Sequence, residues 1–337
     1  MRWRVIAALV LWCGVGLAEE PAADAPKEAD PLPSWQDRDA RRQIIEYVEK
    51  VTNSDSDQFI PVAERVAVFD NDGTLWCESP LPIQLAHIID EVKKQANENV
   101  GLKEDPAVAA LLKGDIKGSL ADGLDGLLRL AGIANAGMTC DEFKENVQQW
   151  VHSAEHPRFK CRYVETVYQP MIEVINYLHA NDFKTYIVSG GGADFMRVWS
   201  NEIYNIPPER TIGSTVRPRF ELRGDKAVLV RTSENFVLND KEGKPLGIQQ
   251  FIGRRPVMCF GNSDGDKAML EYTTMGNVHP ALGVIIHHTD GEREYAYGKE
   301  GPQKLIEALE DAPKRGWVVV DMKEDWKTVF KFPQSKE

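Results

Sequence analysis

Cysteine is scarce in this chain, and positive charge falls short of negative. Its 40 Lys and Arg stand against 52 Asp and Glu, a formal net charge of −12 over 337 residues. Such a surface repels nucleic acid and offers nothing to an anionic membrane. It also repels phosphate esters at long range, so a site for one must build its positive potential locally. None of the five cysteines (Cys13, Cys77, Cys140, Cys161 and Cys259) has the spacing of zinc ligands. Long apolar runs are missing too, except at the N-terminus. Val5 to Leu17 is mostly apolar but too short to span a bilayer comfortably. Arg2 and Arg4 precede it and Gly16-Leu17-Ala18 follows, so residues 1–18 read as a signal peptide cleaved after Ala18. The expected product is secreted or periplasmic, with no stable membrane insertion once the signal is removed. Cleavage moves the charge from 40 − 52 = −12 to 38 − 52 = −14. An oxidising compartment permits three complete pairings of the four remaining cysteines, and Cys259, inside an apolar strand, is expected to be buried and free.

Residues 19–36, rich in Ala, Pro and acids, read as a disordered tether. A helix is expected from about Asp37 to Asn53, with Ile44, Ile45 and Val48 on one face. From Pro80 to Ala180 the apolar spacing is helical, as in Leu85, Ile88, Ile89 and Val92, then Leu124, Leu127, Leu128 and Leu130. This block is longer than an ordinary crossover needs, so residues 80–180 are expected to form a helical lid. Lys184 to Ser189, Arg255 to Phe260, Ala281 to Ile286 and Trp317 to Val320 read as buried strands. Phe220 to Arg223 and Ala227 to Thr232 read as a small hairpin. The alternation of strands and helices over 37–79 and 181–337 predicts a mostly parallel α/β sheet covered on both faces.

The centre of the chain is Val66-Ala67-Val68-Phe69-Asp70-Asn71-Asp72-Gly73-Thr74-Leu75. A short buried strand runs into two carboxylates two positions apart, and a Gly then lets the chain turn. Paired acids at a strand end are costly unless a cation or a reaction needs them. Asp70, Ser189 and Asn262 all fall at carboxyl ends of expected strands, where ligands bind in such sheets. The acids and the Gly261-Asn262-Ser263-Asp264-Gly265-Asp266 loop make a hard-oxygen environment suited to Mg2+. Ser189-Gly190-Gly191-Gly192 offers a hydroxyl and free backbone N–H groups to an anion, and Lys244 offers a fixed positive charge. Nucleophile, acid, metal and anion cradle are the parts that phosphoryl transfer needs.

At these residues the sequence resembles the haloacid dehalogenase (HAD) superfamily, and within it the phosphoserine-phosphatase-like phosphatases. Asp70-Asn71-Asp72-Gly73-Thr74-Leu75 is similar to the first family motif and Val188-Ser189-Gly190 to the second. Lys244 stands for the third and Gly261 to Asp266 for the fourth. The resemblance implies a Rossmann-like, doubly wound core domain over 37–79 and 181–337, with a helical cap domain at 80–180. It implies a phosphomonoesterase acting on small-molecule phosphate esters. Asp70 would attack phosphorus, Asp72 would serve as general acid and base, and Ser189, Gly190 and Lys244 would bind the phosphoryl group. Mg2+ would be held by Asp70, the Asp72 carbonyl, Asn262 and Asp266. Glu78 lies near the position at which phosphoserine phosphatases carry a Glu that meets the substrate amine.

Two departures stand out. Asn262 replaces the usual Asp of the fourth motif, with Asp264 as the alternative ligand, and Lys241 is the alternative to Lys244. The runner-up functions are a non-catalytic binding or scaffold protein on this fold and a haloacid dehalogenase. The second acid, Asp72, argues against dehalogenation, which needs no such group. His152 and His156 read as surface histidines, and at most one of His287 and His288 should face the crevice. Trp76, Trp150, Tyr163, Tyr168 and Trp199 read mainly as core.

Overall fold

The computed structural model describes residues 30–135, 137–232, 235–301 and 303–332. The expected signal peptide and most of the expected tether lie outside the described residues. Six parallel strands form the main sheet: β1 (Val66–Phe69), β2 (Lys184–Gly192), β3 (Thr211–Ser214), β6 (Met258–Gly261), β7 (Leu282–His287) and β8 (Val318–Asp321). Their order is β3-β2-β1-β6-β7-β8, so successive connections change direction between β1 and β6. The fold is a Rossmann-like, doubly wound α/β arrangement, as the sequence leads one to expect. Strand alternation divides the core. Ala67 and Phe69 of β1 face one apolar cluster with Met258 and Phe260, while Val66 and Val68 face a second with Cys259 and Ile285. Both faces are therefore apolar and covered.

Helices α1 (Asp39–Thr52), α2 (Ile83–Glu98), α3 (Pro106–Leu112), α4 (Ile116–Ser119), α5 (Leu124–Ala134), α6 (Cys140–Val151) and α7 (Gln169–Ala180) precede β2. After it come α8 (Ala193–Arg197), α9 (Ser200–Tyr204), α10 (Gly243–Phe251), α11 (Lys267–Thr274) and α12 (Glu307–Arg315). Helices α2, α3 and α5 share an apolar cluster of their own, with Ile88, Ile89, Val92, Leu111 and Leu130 buried in it. The hairpin is present as β4 (Arg219–Arg223) and β5 (Lys226–Val230), paired antiparallel and turning at Gly224.

The start of the described residues differs from expectation. Pro31 to Gln36 fall within the expected tether, yet Leu32 and Trp35 are fully buried. The Trp35 indole donates to the Pro170 carbonyl at 3.0 Å and meets Trp326 edge-on, with ring centroids 5.9 Å apart. The Ser34 amide and hydroxyl both donate to Glu173, at 2.8 and 2.6 Å. Strand β2 also runs farther than the expected stop at Ser189, through Gly192. Cys77, Cys140, Cys161 and Cys259 are all unpaired, and Cys259 is buried in β6 as expected. Trp35→Ala should cost about 3–5 kcal/mol of stability through the cavity it leaves. A melting temperature unmoved by this change would return Pro31 to Gln36 to the tether.

Candidate active site

The strands that carry the three sequence motifs are neighbours. β1 lies between β2 and β6, pairing Phe69 with Ile187 on one side and with Phe260 on the other. Asp70, Ser189 and Asn262 consequently emerge side by side where the strand order reverses, the usual ligand crevice of such sheets. They border a cavity of about 360 Å³ together with Asp72, Glu78, Gly190 and Lys244.

Lys244 is buried, and its ammonium lies 2.8 Å from Asp70 Oδ1 and 2.6 Å from Asp266 Oδ1. Burial opposes the lysine's charge, but Asp266 and Asp70 outweigh it and raise its pKa, so Lys244 stays protonated. Burial also raises the Asp70 carboxyl, with Asp266 adding to the shift and Lys244 opposing it. Asp266 has a second task, because its Oδ2 accepts the Asn262 and Ser263 amides at 2.9 and 3.0 Å. It thus fixes the fourth-motif loop and the lysine together. Lys241, the alternative cation, is exposed and does not border this cavity.

Asp72 is half-buried, and its Oδ1 accepts the Trp76 indole N–H at 2.6 Å. Burial raises its pKa against that hydrogen bond, which favours a protonated acid. A Cβ on Gly191 would sit 3.5 Å from Ser189 Oγ and 3.6 Å from Asp72 Oδ2, so both oxygens face one small space. The end of β2 is held from behind. Asn239 Nδ2 donates to the Ser189 carbonyl at 3.0 Å and Ser214 Oγ to the Gly190 carbonyl at 2.7 Å.

A metal would have to use mixed oxygen donors. Among the described residues, no group of three His, Cys, Asp or Glu side chains is placed to hold an ion. The Asp70 carboxylate, the Asp72 carbonyl and the Asn262 amide oxygen are nevertheless an all-oxygen set of the kind Mg2+ takes. Asp264 does not belong to it. Its Oδ1 accepts the Ile306 and Ala308 amides, both at 3.0 Å, and it does not border the cavity. Asp266 is committed to Lys244 and its own loop. Asn262 Oδ1 accepts the Thr74 hydroxyl at 3.1 Å and its Nδ2 donates to Glu78 Oε1 at 2.8 Å. Glu78 also accepts from the Tyr297 hydroxyl at 2.6 Å, and burial pushes its pKa up to about 7. One oxygen of Glu78 is therefore engaged by protein donors, rather than held free for a substrate amine.

Other groups at the site gave no sequence motif. Gln84, at the start of α2, accepts the Gly192 amide at 2.7 Å and fills the space beside that glycine. His288 lies between the Gly73 carbonyl at 2.7 Å and Glu294 at 3.0 Å, stacked on Tyr297, and does not border the cavity. Gly73, at φ +73°, supplies the turn that the first motif requires. His156 is a correction, being buried rather than at the surface. Its ring accepts the Arg158 and Phe159 amides at Nδ1 and meets the Ser79 carbonyl at 2.7 Å through Nε2. His152 pairs with Glu202 at 3.2 Å. The five aromatic residues singled out in the sequence are buried in the core and do not line this cavity.

The fold and the grouped acids define a crevice at the carboxyl end of a parallel sheet with an aspartate at its centre. The family model of haloacid dehalogenase-like hydrolases matches residues 67–271, more than half of the chain, and the chain belongs to that family. No curated protein matches it in sequence. Similar solved structures include a conserved functionally unknown protein from Anaerococcus prevotii, 16% identical, covering 82% of this chain and 93% of that chain at a TM-score of 0.49. A protein with unknown function from Bordetella pertussis is 16% identical over 77% of this chain and 99% of its own, at a TM-score of 0.47. A phosphoserine phosphohydrolase-like protein from Francisella tularensis is 15% identical over 65% and 87%, at a TM-score of 0.36.

The Glu78–Asn262 contact yields a test. Asn262→Asp would set a second carboxylate where an amide now donates. Without added metal it should cost about 1–3 kcal/mol, read as a lower melting temperature. Added Mg2+ should recover part of that loss, since a ligand of the folded state stabilises it. No change in the metal-free protein would show that the two side chains do not pair in solution.

Proposed function

We propose that this chain is an exported, Mg2+-dependent phosphatase that hydrolyses small phosphate monoesters through an aspartyl-phosphate intermediate. The observation that carries the reading is the convergence of Asp70, Asp72, Ser189 and Lys244 on one cavity, with Lys244 fixed against Asp70. An Asp70 carboxylate oxygen attacks phosphorus, and the bond from phosphorus to the ester oxygen breaks. Asp72 gives its proton to the departing oxygen. The resulting Asp72 carboxylate then takes a proton from water as that water attacks the phosphoryl group, which releases phosphate and restores Asp70. The Trp76 hydrogen bond to Oδ1 orients the Asp72 carboxyl, leaving Oδ2 for the proton transfers. Ser189 and the Gly190 N–H bind phosphoryl oxygens, and Lys244 neutralises charge shared between them and Asp70. A bound Mg2+, held by Asp70, the Asp72 carbonyl and Asn262, would neutralise further phosphoryl charge.

In this reading the helices within residues 80–180 form a cap that keeps water from the reacting groups. Residues 1–18 direct export. Among the described residues no helix is long and apolar enough to cross a membrane.

Phosphate release by the mature protein from p-nitrophenyl phosphate and from an alkyl phosphate, with and without Mg2+, tests the proposal. Asp70→Asn should abolish turnover of both and leave the melting curve cooperative. Asp72→Asn should slow the alkyl ester by about 10²–10⁴-fold, and the p-nitrophenyl ester much less, because that group departs without a proton. Equal losses on the two esters would take the acid role from Asp72. Absence of any metal-supported release would favour a non-catalytic binding protein on this fold.

A further inference from the structure

We infer that this cavity selects phosphate monoesters whose alcohol is apolar and carries no second anionic group. The inference rests on the phosphatase reading and adds to it the class of leaving group. The lining is of two kinds. Strand ends and their loops supply Asp70, Asp72, Ser189 and Asn262, and α10 supplies Lys244, whereas α2 and α5 supply an apolar wall. Leu85 and Ile88 come from α2, and Leu127, Leu128 and Ala131 from α5. The three-residue spacing in α2 and the four-residue step from Leu127 to Ala131 put each pair on one helix face. Gln84 explains how that wall is positioned. Through the Gly192 amide, at 2.7 Å, it fastens the first turn of α2 to the glycine segment that follows Ser189. The next residue, Leu85, then lies against the space an ester's alcohol enters when its phosphoryl group is on Asp70.

Charge sets the second restriction. Among the described lining residues Lys244 is the one cation, and its ammonium is already between Asp70 and Asp266. Asp70, Asp72, Glu78 and Asp240 all border the same cavity. A carboxylate or second phosphate on the alcohol would meet these acids without a free basic partner. Sugar hydroxyls entering along the α2 and α5 wall would give up water for leucine, isoleucine and alanine. A phenyl or branched alkyl body loses nothing there and gains burial. A cavity of about 360 Å³ is at the small end of ligand sites, which fits a single ring or a short chain beside the phosphoryl group.

Leaving-group chemistry must be held constant in the test, so alkyl esters are compared. We expect kcat/KM for 2-phenylethyl phosphate to exceed that for ethyl phosphate by at least about tenfold, and O-phosphoserine to fall below ethyl phosphate. Leu85→Asn and Leu127→Asn, on separate helices in case one variant fails to fold, should each bring the phenylethyl-to-ethyl ratio close to one. Binding of 2-phenylethylphosphonate against methylphosphonate, followed by calorimetry, reads the same preference without turnover. Comparable rates for phenylethyl, ethyl and seryl esters would overturn the apolar selection and leave the phosphatase reading standing. Preferential phosphonate binding without hydrolysis of any ester would support the apolar pocket and defeat that reading. Neither binding preference nor hydrolysis would defeat both.

Discussion

A buried lysine between two buried aspartates is the interaction on which this site depends. Without Lys244, Asp70 and Asp266 would be anions taken out of water beside one another, and breaking a buried pair of this kind costs about 3–5 kcal/mol. Lys244 does more than cancel charge. It joins the end of β1 to the fourth-motif loop after β6, and Asp266 extends the tie to two backbone amides of that loop. With both aspartates ionised the three groups carry one negative charge in excess, and the Asp70 carboxyl is raised chiefly by burial, with Asp266 adding to the shift and Lys244 opposing it. In the phosphatase reading a phosphate ester would add more negative charge, which a divalent cation at Asp70 and Asn262 would offset.

A second network sets the first-motif turn. His288 meets the Gly73 carbonyl, Glu294 holds His288, and Tyr297 stacks on its ring while donating to Glu78. Glu78 in turn accepts the Asn262 amide. A Cβ on Gly73 would come 2.1 Å from Asn262 Nδ2 and 2.3 Å from Glu78 Oε1, so glycine is required for spacing as well as for backbone angle. In this setting the missing carboxylate at position 262 is not an isolated loss. A neutral amide can donate to Glu78, whereas an Asp could not while ionised. The departure from the family pattern and the presence of Glu78 are two sides of one contact.

What could be read from sequence follows from how local each signal is. Short apolar runs ending in Asp70, Ser189 and Asn262 identify strands and strand ends, since burial on both faces leaves an unbroken run of apolar residues. The crevice at their carboxyl ends follows from fold topology alone. Lys244 reads as a fixed charge, and as the third-motif lysine only through the family resemblance; it is buried between the two acids, whereas Lys241 is exposed. Leu32 and Trp35 do not stand out in a Pro- and acid-rich stretch, and the partners of Trp35, Pro170 and Trp326, are far away in the chain. Gln84, Tyr297 and Asn239 carry no motif, as each acts only through a neighbour that folding supplies. His156 was misjudged for a related reason, since the turn amides that its ring accepts leave no periodic trace.

The cavity thus joins two separately stabilised parts. Its reactive floor is fixed by the parallel sheet, where three strand ends, a lysine and a loop carboxylate define one another. Its apolar wall belongs to helices with their own cluster, in which Ile89, Val92 and Leu130 are buried. Residues such as Leu85 and Leu127 can therefore change the shape of the wall without disturbing the charges on the floor, with Gln84 as the fixed point between them. Phosphoryl transfer demands the same few groups whatever alcohol departs. In the proposed phosphatase the choice of alcohol would therefore rest with the helical wall, and the sequence motifs, which lie on the floor, carry little information about it.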